Sequence, residues 1–330
     1  MNKLKTLLAA VCCLCAANKA AAYDFSAVND GQTIYYNIIS STPPLTVGVT
    51  YENFSQGSYN GEITIPDMVS YNGNTYSVTA IGYRAFYECT ALTSVTIPNS
   101  VTTIGGYAFH SCTGLTSVTI GNSVTVIQNA VFYGCTGLTS ITIPESVTDI
   151  GQSAFAHCSG LTSITIPNSV TMIEDWAFEF CSSLTSVTIP NSVTSIGREV
   201  LNSCSSLTSI IVEANNPNYC SVDDVLFNKS QSTLKQYPGG KQGSYTIPNT
   251  VTTIEYAAFS GCNLTSVTIP NSVTSIRGGT FVGCHSLISL TVEEDNPNYC
   301  SVGGVLFDKS KDTLIQYPGG KTGSYTTPYT

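Results

Sequence analysis

The chain has 330 residues, of which 42% are hydrophobic and 10% are charged, whereas about 25% of residues are charged in a typical soluble domain. Ser and Thr fill the polar positions instead, which is typical of a β-rich extracellular scaffold. The formal net charge is −9, and an acidic surface lacks the counter-charge that binding to nucleic acid or to an anionic membrane requires.

The first 22 residues predict a secretory signal peptide. Two lysines at positions 3 and 5 precede an apolar stretch at residues 7–17, and alanines at positions 20–22 form a small-residue cleavage site. The apolar stretch is too short for a stable membrane anchor, so we expect a protein that is secreted or displayed at the cell surface. Attachment of a lipid to a leader cysteine, at position 12, 13 or 15, is the less favoured alternative.

Residues 23–80 lack an obvious repeat and alternate between apolar and polar side chains, as in ITIPDMVSYNGNTYSVTAIG. Asn72-Gly73 lies between two alternating runs and predicts a tight hairpin turn. Because the terminal coil of a repeat array must be covered, we interpret residues 23–80 as a β-rich N-terminal cap.

A 23-residue repeat fills most of the remaining chain, residues 81–330. A cysteine marks each copy: six follow one another at intervals of 23, and two more, 22 apart, come after a longer interval. These repeat cysteines are Cys89, Cys112, Cys135, Cys158, Cys181, Cys204, Cys262 and Cys284. One copy cannot bury its own apolar side, whereas stacked copies bury theirs against their neighbours, so the period predicts a solenoid.

Each copy predicts two short strands and a turn. LTSITI places Ile141 and Ile143 on one face and Thr142 on the other. Pro144 ends this strand because it lacks an N–H, and SVTDI is a second alternating run. Gly151 permits a turn, and SAFAHC is expected to return the chain to the next coil through a brief helical or irregular segment. We name the six residues before each repeat cysteine the AF turn.

The phrase LTSVTIPNSVTSIG, followed by AF and C, resembles the BspA-like leucine-rich repeats of bacterial surface proteins, from Ile81 to the C-terminus. The leader and the segment YDFSAVNDGQTIYYNI also resemble secreted members from anaerobic gut and oral bacteria. The resemblance implies a mostly β, right-handed leucine-rich-repeat solenoid of 23-residue coils with short helical or irregular turns. It further implies a secreted or surface-exposed protein, with adhesion to host matrix proteins or other bacteria in some members, and it carries no catalytic residues.

Two coils are enlarged, at about residues 215–246 and 295–327, and have nearly the same sequence. In the first, VLFNKSQSTLKQYP alternates around Lys229-Ser230-Gln231 and predicts a β-hairpin. These modules hold all six lysines beyond the leader, which we interpret as charged hairpin tips that prevent edge pairing rather than as a basic binding surface. The sequence stops at SYTTPYT, where another coil would begin, so either the final strand caps the array or the array is shortened.

The repeats contain no residue set that predicts catalysis, a cofactor or a metal site. Repeat cysteines stacked about 5 Å apart with parallel Cβ vectors disfavour disulfides and are expected to act as small buried apolar side chains. Cys220 and Cys300 occupy matching positions in distant modules and should not meet. The three histidines, His110, His157 and His285, lie at non-equivalent places and should not form a shared ligand set.

The outward positions of the strands are nearly uniform Thr and Ser, which stabilise strand pairing but do not encode a ligand preference. Differences between copies concentrate in the AF turns, which line one edge of the stacked coils. Because aromatic and Arg side chains are the usual anchors of protein interfaces, this edge is the candidate ligand-binding site. Its residues are Tyr83, Arg84, Tyr87, Tyr107, His110, Tyr133, Asp175, Trp176, Glu179, Phe180, Arg198, Glu199 and Tyr256.

The favoured hypothesis is an exported, non-enzymatic binding or adhesion protein whose partner is an extracellular protein or glycan. The alternative is a structural component of a surface complex, in which the ends of the solenoid self-associate and the AF turns have drifted without selection for a ligand. A third hypothesis, an enzyme that processes glycans or peptides, would require ionisable residues gathered in one pocket, and the sequence indicates no such group.

Overall fold

The computed structural model describes residues 22–52 and 57–326. The predicted signal peptide therefore lies outside the described residues except for Ala22, as do the leader cysteines. Within the described ranges the chain forms 26 β-strands and no helix. The AF turns are hydrogen-bonded turns, so the irregular form of the expected connection is the one present. These ranges accordingly include no helix with the length and hydropathy of a membrane span.

Six strands precede the first coil. They are β1 (Phe25–Asn29), β2 (Gln32–Ser40), β3 (Thr46–Thr50), β4 (Gly61–Thr64), β5 (Met68–Tyr71) and β6 (Asn74–Ile81). Five of them form a sheet in the order β1-β2-β3-β6-β5. The predicted hairpin joins β5 and β6 antiparallel, and both of its turn residues, Asn72 and Gly73, have positive φ, as a tight hairpin turn requires.

Each regular coil contributes a two-residue second strand, and most contribute a longer first strand. The first strand predicted at LTSITI is the exception, because in the coils after Cys135 and Cys158 it is reduced to one parallel bridge between Thr142 and Thr165. Their strands are β7 (Leu92–Thr96), β8 (Thr103–Ile104), β9 (Ser117–Thr119), β10 (Val126–Ile127), β11 (Asp149–Ile150), β12 (Met172–Ile173), β13 (Ser186–Ile189), β14 (Ser195–Ile196) and β15 (Ser209–Val212). First strands pair in parallel with first strands, and second with second. Partners lie 23 residues apart, as in Ile127 with Ile150 and Ile150 with Ile173. The stacked coils form the predicted β-solenoid, and β8 joins it to the N-terminal sheet by pairing with β6.

The two enlarged modules and the coils between them complete the solenoid. Their strands are β16 (Tyr219–Val222), β17 (Val225–Asn228), β18 (Thr233–Gln236), β19 (Gly243–Thr246), β20 (Thr253–Ile254), β21 (Leu264–Ile269), β22 (Ser275–Ile276), β23 (Ser289–Val292), β24 (Tyr299–Val302), β25 (Val305–Asp308) and β26 (Leu314–Gln316). β17 and β18 form the predicted hairpin, and β16 adds a third antiparallel strand that the sequence analysis missed. β24, β25 and β26 repeat this arrangement.

Side chains from successive coils form ladders in the core. Buried phenylalanines of the AF turns stack face to face, with ring centroids 5.4 Å apart between Phe109 and Phe132 and again between Phe132 and Phe155. The thiol of Cys135 donates a hydrogen bond to the Phe109 carbonyl oxygen at 3.1 Å. All ten cysteines in the described residues are free, and the eight repeat cysteines are buried. Burial raises the pKa of these thiols, that of Cys204 to about 12, so they are unreactive core residues.

The outward threonines form a second ladder. The Thr116 hydroxyl donates to the carbonyl oxygen of Thr93 at 3.1 Å, and the Thr162 hydroxyl makes the same bond to Thr139 two repeats further along. Each hydroxyl therefore ties its coil to the preceding one. The face formed by these outward threonines is therefore uniform in sequence and stabilises the stack of coils. A ligand preference is expected from a part of the surface that varies between coils.

Candidate ligand-binding edge

The AF turns have a fixed backbone pattern that decides which side chains point outward. Counted back from the repeat cysteine, positions −4 and −3 are buried in every AF turn and are Ala and Phe in five of the eight, whereas the predicted edge residues all occupy positions −6, −5, −2 and −1. The backbone N–H of Tyr87 bonds within its own turn, to Arg84 O at 3.1 Å. The N–H of Glu88 bonds instead to His110 O of the next coil at 2.8 Å. This alternation holds neighbouring turns in register, so outward side chains lie above one another.

Positions −5 and −1 have left-handed backbone in every AF turn. Glycine adopts this conformation at no steric cost, and some coils have it there, for example Gly261. Other coils hold large side chains at the same two positions, among them Arg84 (φ 57°), Trp176 (φ 59°) and Phe180 (φ 56°). A non-glycine residue there costs about 1–2 kcal/mol. The fold tolerates these residues and does not require them, which draws attention to what their side chains do.

Five outward rings from consecutive AF turns stack into one surface feature, which we name the aromatic column. Its members are Tyr87, His110, Tyr133, His157 and Phe180. Successive ring centroids lie 4.6–4.9 Å apart, and three of the four contacts are stacked within 17° of parallel. The faces of the internal rings are therefore covered by one another, and mainly ring edges reach solvent. Phe180 ends the column and is 42% exposed.

The sequence analysis did not include His157 in this set, because it lies one position later in its turn than Tyr133 does. The structure explains the change of position. The −1 residue beside Tyr133 is Gly134, and the −2 residue before His157 is the buried Ala156, so neither fills the outward space. The His157 ring takes it from position −1, 4.9 Å from Tyr133, and Phe180 follows at the same position. Gly134 and Ala156 are the residues in the sequence from which the outward position of the His157 ring could have been predicted.

Arg84 and two more tyrosines lie beside the first ring of the column. The Arg84 guanidinium carbon is 4.7 Å from the ring centroid of Tyr87, 5.3 Å from that of Tyr83 and 5.6 Å from that of Tyr107. Tyr83 contacts Tyr107 edge to face at 5.7 Å and is 58% exposed. Three electron-rich rings thus surround one cation at the N-terminal end of the edge, each at a distance typical of cation–π contact.

The structure does not bring every predicted edge residue into the column. Trp176 makes no ring contact with any described residue and is half-buried. Asp175 instead accepts two hydrogen bonds from the Arg198 guanidinium, at 3.0 and 3.2 Å, and one from the Arg198 backbone N–H at 2.7 Å. The Asn202 amide links the carboxylates of Glu179 and Glu199, at 3.2 and 3.4 Å. This part of the edge is held by charge and amide contacts.

Tyr256 belongs to a separate environment at the first enlarged module. It is 45% exposed, and the Arg277 guanidinium carbon lies 5.7 Å from its ring centroid. Together with Arg198, Lys235 and Glu255 it lines a depression of about 120 Å³. A second depression of about 290 Å³ lies beside Asp175. Typical small-molecule sites measure about 300–1,000 Å³, so neither of these two depressions has the volume of a typical small-molecule pocket.

Burial in the stack changes the proton affinity of the two histidines. It lowers the pKa of His110, an effect that the nearby Arg84 charge reinforces and the Glu88 charge opposes. The pKa of His157 is lowered by burial as well. The His110 Nδ1 atom is 2.9 Å from the Ser111 hydroxyl. Burial also raises the pKa of Glu179. Within the described part of the chain, no three His, Cys, Asp or Glu side chains are arranged to hold a metal ion.

Comparisons with known proteins agree with this architecture. The family model described as BspA type leucine rich repeat region matches in six copies, over residues 67–159, 125–242 and 239–312. Among solved structures, a leucine-rich cell surface protein from Faecalibacterium prausnitzii is 32% identical, with 81% of this chain and 76% of that one covered and a TM-score of 0.62. A leucine-rich repeat protein from Bacteroides ovatus is 28% identical, covering 82% of this chain and 71% of its own, with a TM-score of 0.61.

A more distant match shares the fold alone. The pneumococcal vaccine antigen PcpA is 23% identical over 84% of this chain and 83% of its own length, with a TM-score of 0.64. No curated protein matches the chain.

Proposed function

The chain belongs to the BspA-type leucine-rich repeat family, and from that premise we propose that it is an exported surface protein that binds extracellular proteins or glycans along its AF-turn edge. The solenoid serves as a rigid support, and the outward residues of the AF turns supply the contacts. The protein then needs no cofactor and carries out no reaction. Its similarity to a structure described as a cell surface protein supports a location outside the cell.

One observation carries this proposal: outward aromatic side chains of five consecutive coils form one surface column, and two of them occupy backbone positions that disfavour large side chains. Phe180 and His157 both lie on left-handed backbone, and both belong to a column that spans five consecutive coils. Clustered aromatic residues are the usual anchors of protein interfaces. A row of such anchors on a rigid rod can also engage a repetitive or extended partner at several points, which increases overall affinity.

A structural role without a ligand is the second candidate, and one feature of the column favours it. The rings cover each other's faces, so they stabilise the stack of coils, and an aromatic pair contributes about 0.5–1.5 kcal/mol beyond its buried area. In that case the aromatic column only stabilises the stack of coils. Self-association through the ends of the solenoid would then be the main interaction of the protein. The two candidates differ in what happens when single rings are removed.

The test is a binding screen of the exported protein against matrix glycoproteins and a glycan array, followed by Phe180→Ala, Trp176→Ala and Tyr133→Ala. We expect saturable binding that Phe180→Ala weakens at least tenfold while the circular dichroism spectrum stays unchanged. Thr116→Ala, on the uniform threonine face, is the matched control and should bind as the unmodified protein does. Binding that survives all three aromatic substitutions would contradict a ligand-binding edge and favour the structural role.

A further inference from the structure

We propose that Arg84 and its three tyrosines form a recognition site for a single carboxylate on a terminal sugar of an acidic glycan. This inference rests on the proposed function, since it assigns a ligand class to the N-terminal end of the same edge. Four features carry it: the isolation of Arg84, its preorganisation, the charge around it and the accessible ring next to it.

Arg84 is the only Lys or Arg between residues 23 and 197. It also differs from the two other arginines of the chain. Arg198 pairs with Asp175 at 3.0 Å and Arg277 with Glu255 at 3.5 Å, whereas Arg84 has no carboxylate within 4.0 Å among the described residues. The two paired arginines meet carboxylates supplied by the preceding coil. The Arg84 guanidinium contacts three aromatic rings, and no carboxylate among the described residues uses its anion-binding capacity.

The three tyrosines fix the guanidinium without consuming its hydrogen-bond donors. Cation–π contacts involve the ring faces, and the five N–H groups of a guanidinium lie in its own plane, in a fork that matches a carboxylate. A guanidinium held by three rings at 4.7–5.6 Å loses little additional freedom when an anion arrives, and preorganisation of this kind increases affinity.

The surrounding charge limits which anions fit. Glu88 is close enough to affect the pKa of His110, and the chain as a whole carries a formal charge of −9. In a sulfated or phosphate-rich polymer, one anionic group could bind Arg84, and the remaining anionic groups would be repelled by the acidic side chains of the protein. A ligand with one isolated carboxylate gains the bond to Arg84 at a much smaller repulsive cost. The site therefore favours a sparsely charged glycan over a polyanion.

Tyr83 favours a sugar over a peptide as the carrier of that carboxylate. Its ring is the most exposed of the edge aromatics, and it meets Tyr107 edge to face rather than in a parallel stack. Tyr83 is 58% exposed beside the guanidinium, unlike the rings within the aromatic column, which cover one another. A flat aromatic surface next to a carboxylate-binding fork suits the apolar face of a sugar ring that carries an acid group.

The experiment compares three immobilised probes: sialyllactose, its carboxyl methyl ester and lactose. The ester lacks only the carboxylate charge of sialyllactose, whereas lactose lacks the whole terminal acidic sugar. Binding of the exported protein is measured by surface plasmon resonance at two salt concentrations. Hydrogen bonds to charged groups contribute about 1.5–3 kcal/mol, so we expect sialyllactose to bind roughly ten- to a hundredfold more tightly than its ester. This comparison needs no substitution, and it is decisive even if a variant fails to fold.

Variants then assign the effect to Arg84. Arg84→Gln should bind sialyllactose and its ester equally, and Arg84→Lys, which keeps the charge without the planar fork, should retain a reduced preference. Arg198→Gln removes an arginine that already has a carboxylate partner and should leave the preference unchanged. A preference that survives Arg84→Gln, or equal binding of acid and ester by the unmodified protein, would overturn the site.

Two further outcomes separate this inference from the proposed function. If a short glutamate-containing peptide binds through Arg84 and sialyllactose does not, the ligand is a protein and the glycan assignment is wrong. If neither probe binds but Phe180→Ala still weakens binding to a matrix glycoprotein, the Arg84 site fails and the ligand-binding edge stands. If the aromatic substitutions change nothing either, the proposed function fails as well.

Discussion

The AF turns that precede Cys181 and those that follow it share one backbone but have different surfaces. Through Phe180, outward rings stack from coil to coil. From residue 198 onward, within the described part of the chain, the outward positions have no ring stack and use the ion pairs of Arg198 and Arg277 instead. The buried layer does not change in the same way, because Phe259 and Phe281 stack in the later coils as Phe132 and Phe155 do in the earlier ones. The core therefore supports either surface, and the surface is free to vary with function.

The largest effect should come from the layer that both regions share. Phe132→Ala and Phe259→Ala each remove a fully buried ring that stacks on neighbours at both faces. Each should lower the free energy of unfolding, measured by urea titration, by about 3–5 kcal/mol, because the substitution loses buried area and leaves a cavity. A loss below about 1 kcal/mol in one region only would mean that the two cores are not equivalent.

The second effect distinguishes the regions. Tyr133 stacks against His110 at 4.6 Å and lies 4.9 Å from His157, so Tyr133→Ala removes two ring contacts and should cost about 1–3 kcal/mol of stability. Tyr256→Ala in the later region removes a ring with no ring partner among the described residues, and it loses only the exposed contact with the Arg277 guanidinium, so it should cost less than about 1 kcal/mol. Thermal denaturation of both variants measures the difference. Equal losses would contradict a stabilising column.

The third effect is smaller and depends on salt. Asp175→Asn weakens the pair with Arg198, whose side chain is 63% exposed. Exposed ion pairs contribute about 0–1 kcal/mol and are screened by salt. The loss of stability relative to the unmodified protein should therefore shrink between low and high sodium chloride, as measured by urea titration at both concentrations. For Tyr133→Ala the loss should not shrink, and a salt-dependent loss in that variant would mean that charge also holds the column.

The smallest effect concerns pH. The pKa of His110 and that of His157 are lowered from the ordinary value of 6.5, so the folded state disfavours their protonation. Their contribution to stability is complete above about pH 6.5 and declines as the pH falls toward the lower folded values, because the unfolded chain takes up protons first. The contribution of the two histidines should lower the melting temperature between about pH 7 and pH 5, whereas the raised pKa of Glu179 acts in the opposite direction. A His110→Gln, His157→Gln double variant should lose part of that decrease, and an unchanged pH profile would contradict burial of neutral histidines.

The sequence by itself determined the coil. Cysteines 23 residues apart, the alternating apolar run, the proline after it and the buried AF-turn pair specify one repeating unit, and stacking is the way such a unit buries its apolar face. The full strand predicted at LTSITI was wrong, because that run forms only a single bridge between Thr142 and Thr165. The hairpins at Asn72-Gly73 and at Lys229-Ser230-Gln231 were also predictable, since local turn chemistry decides them. The strand β16 was not, because its short mixed run becomes a strand only by pairing with β17.

Only the tertiary structure decided which edge residues meet. Position in the repeat separated His110 from His157, yet both contact Tyr133, because Gly134 and Ala156 leave the outward space to the next side chain. The stacking also turned ring faces away from solvent, and within residues 22–52 and 57–326 it left Arg84 without a carboxylate while Arg198 acquired one. The physical reason is that a coil fixes its backbone from its own residues, whereas its outward side chains take positions set by the coils on either side.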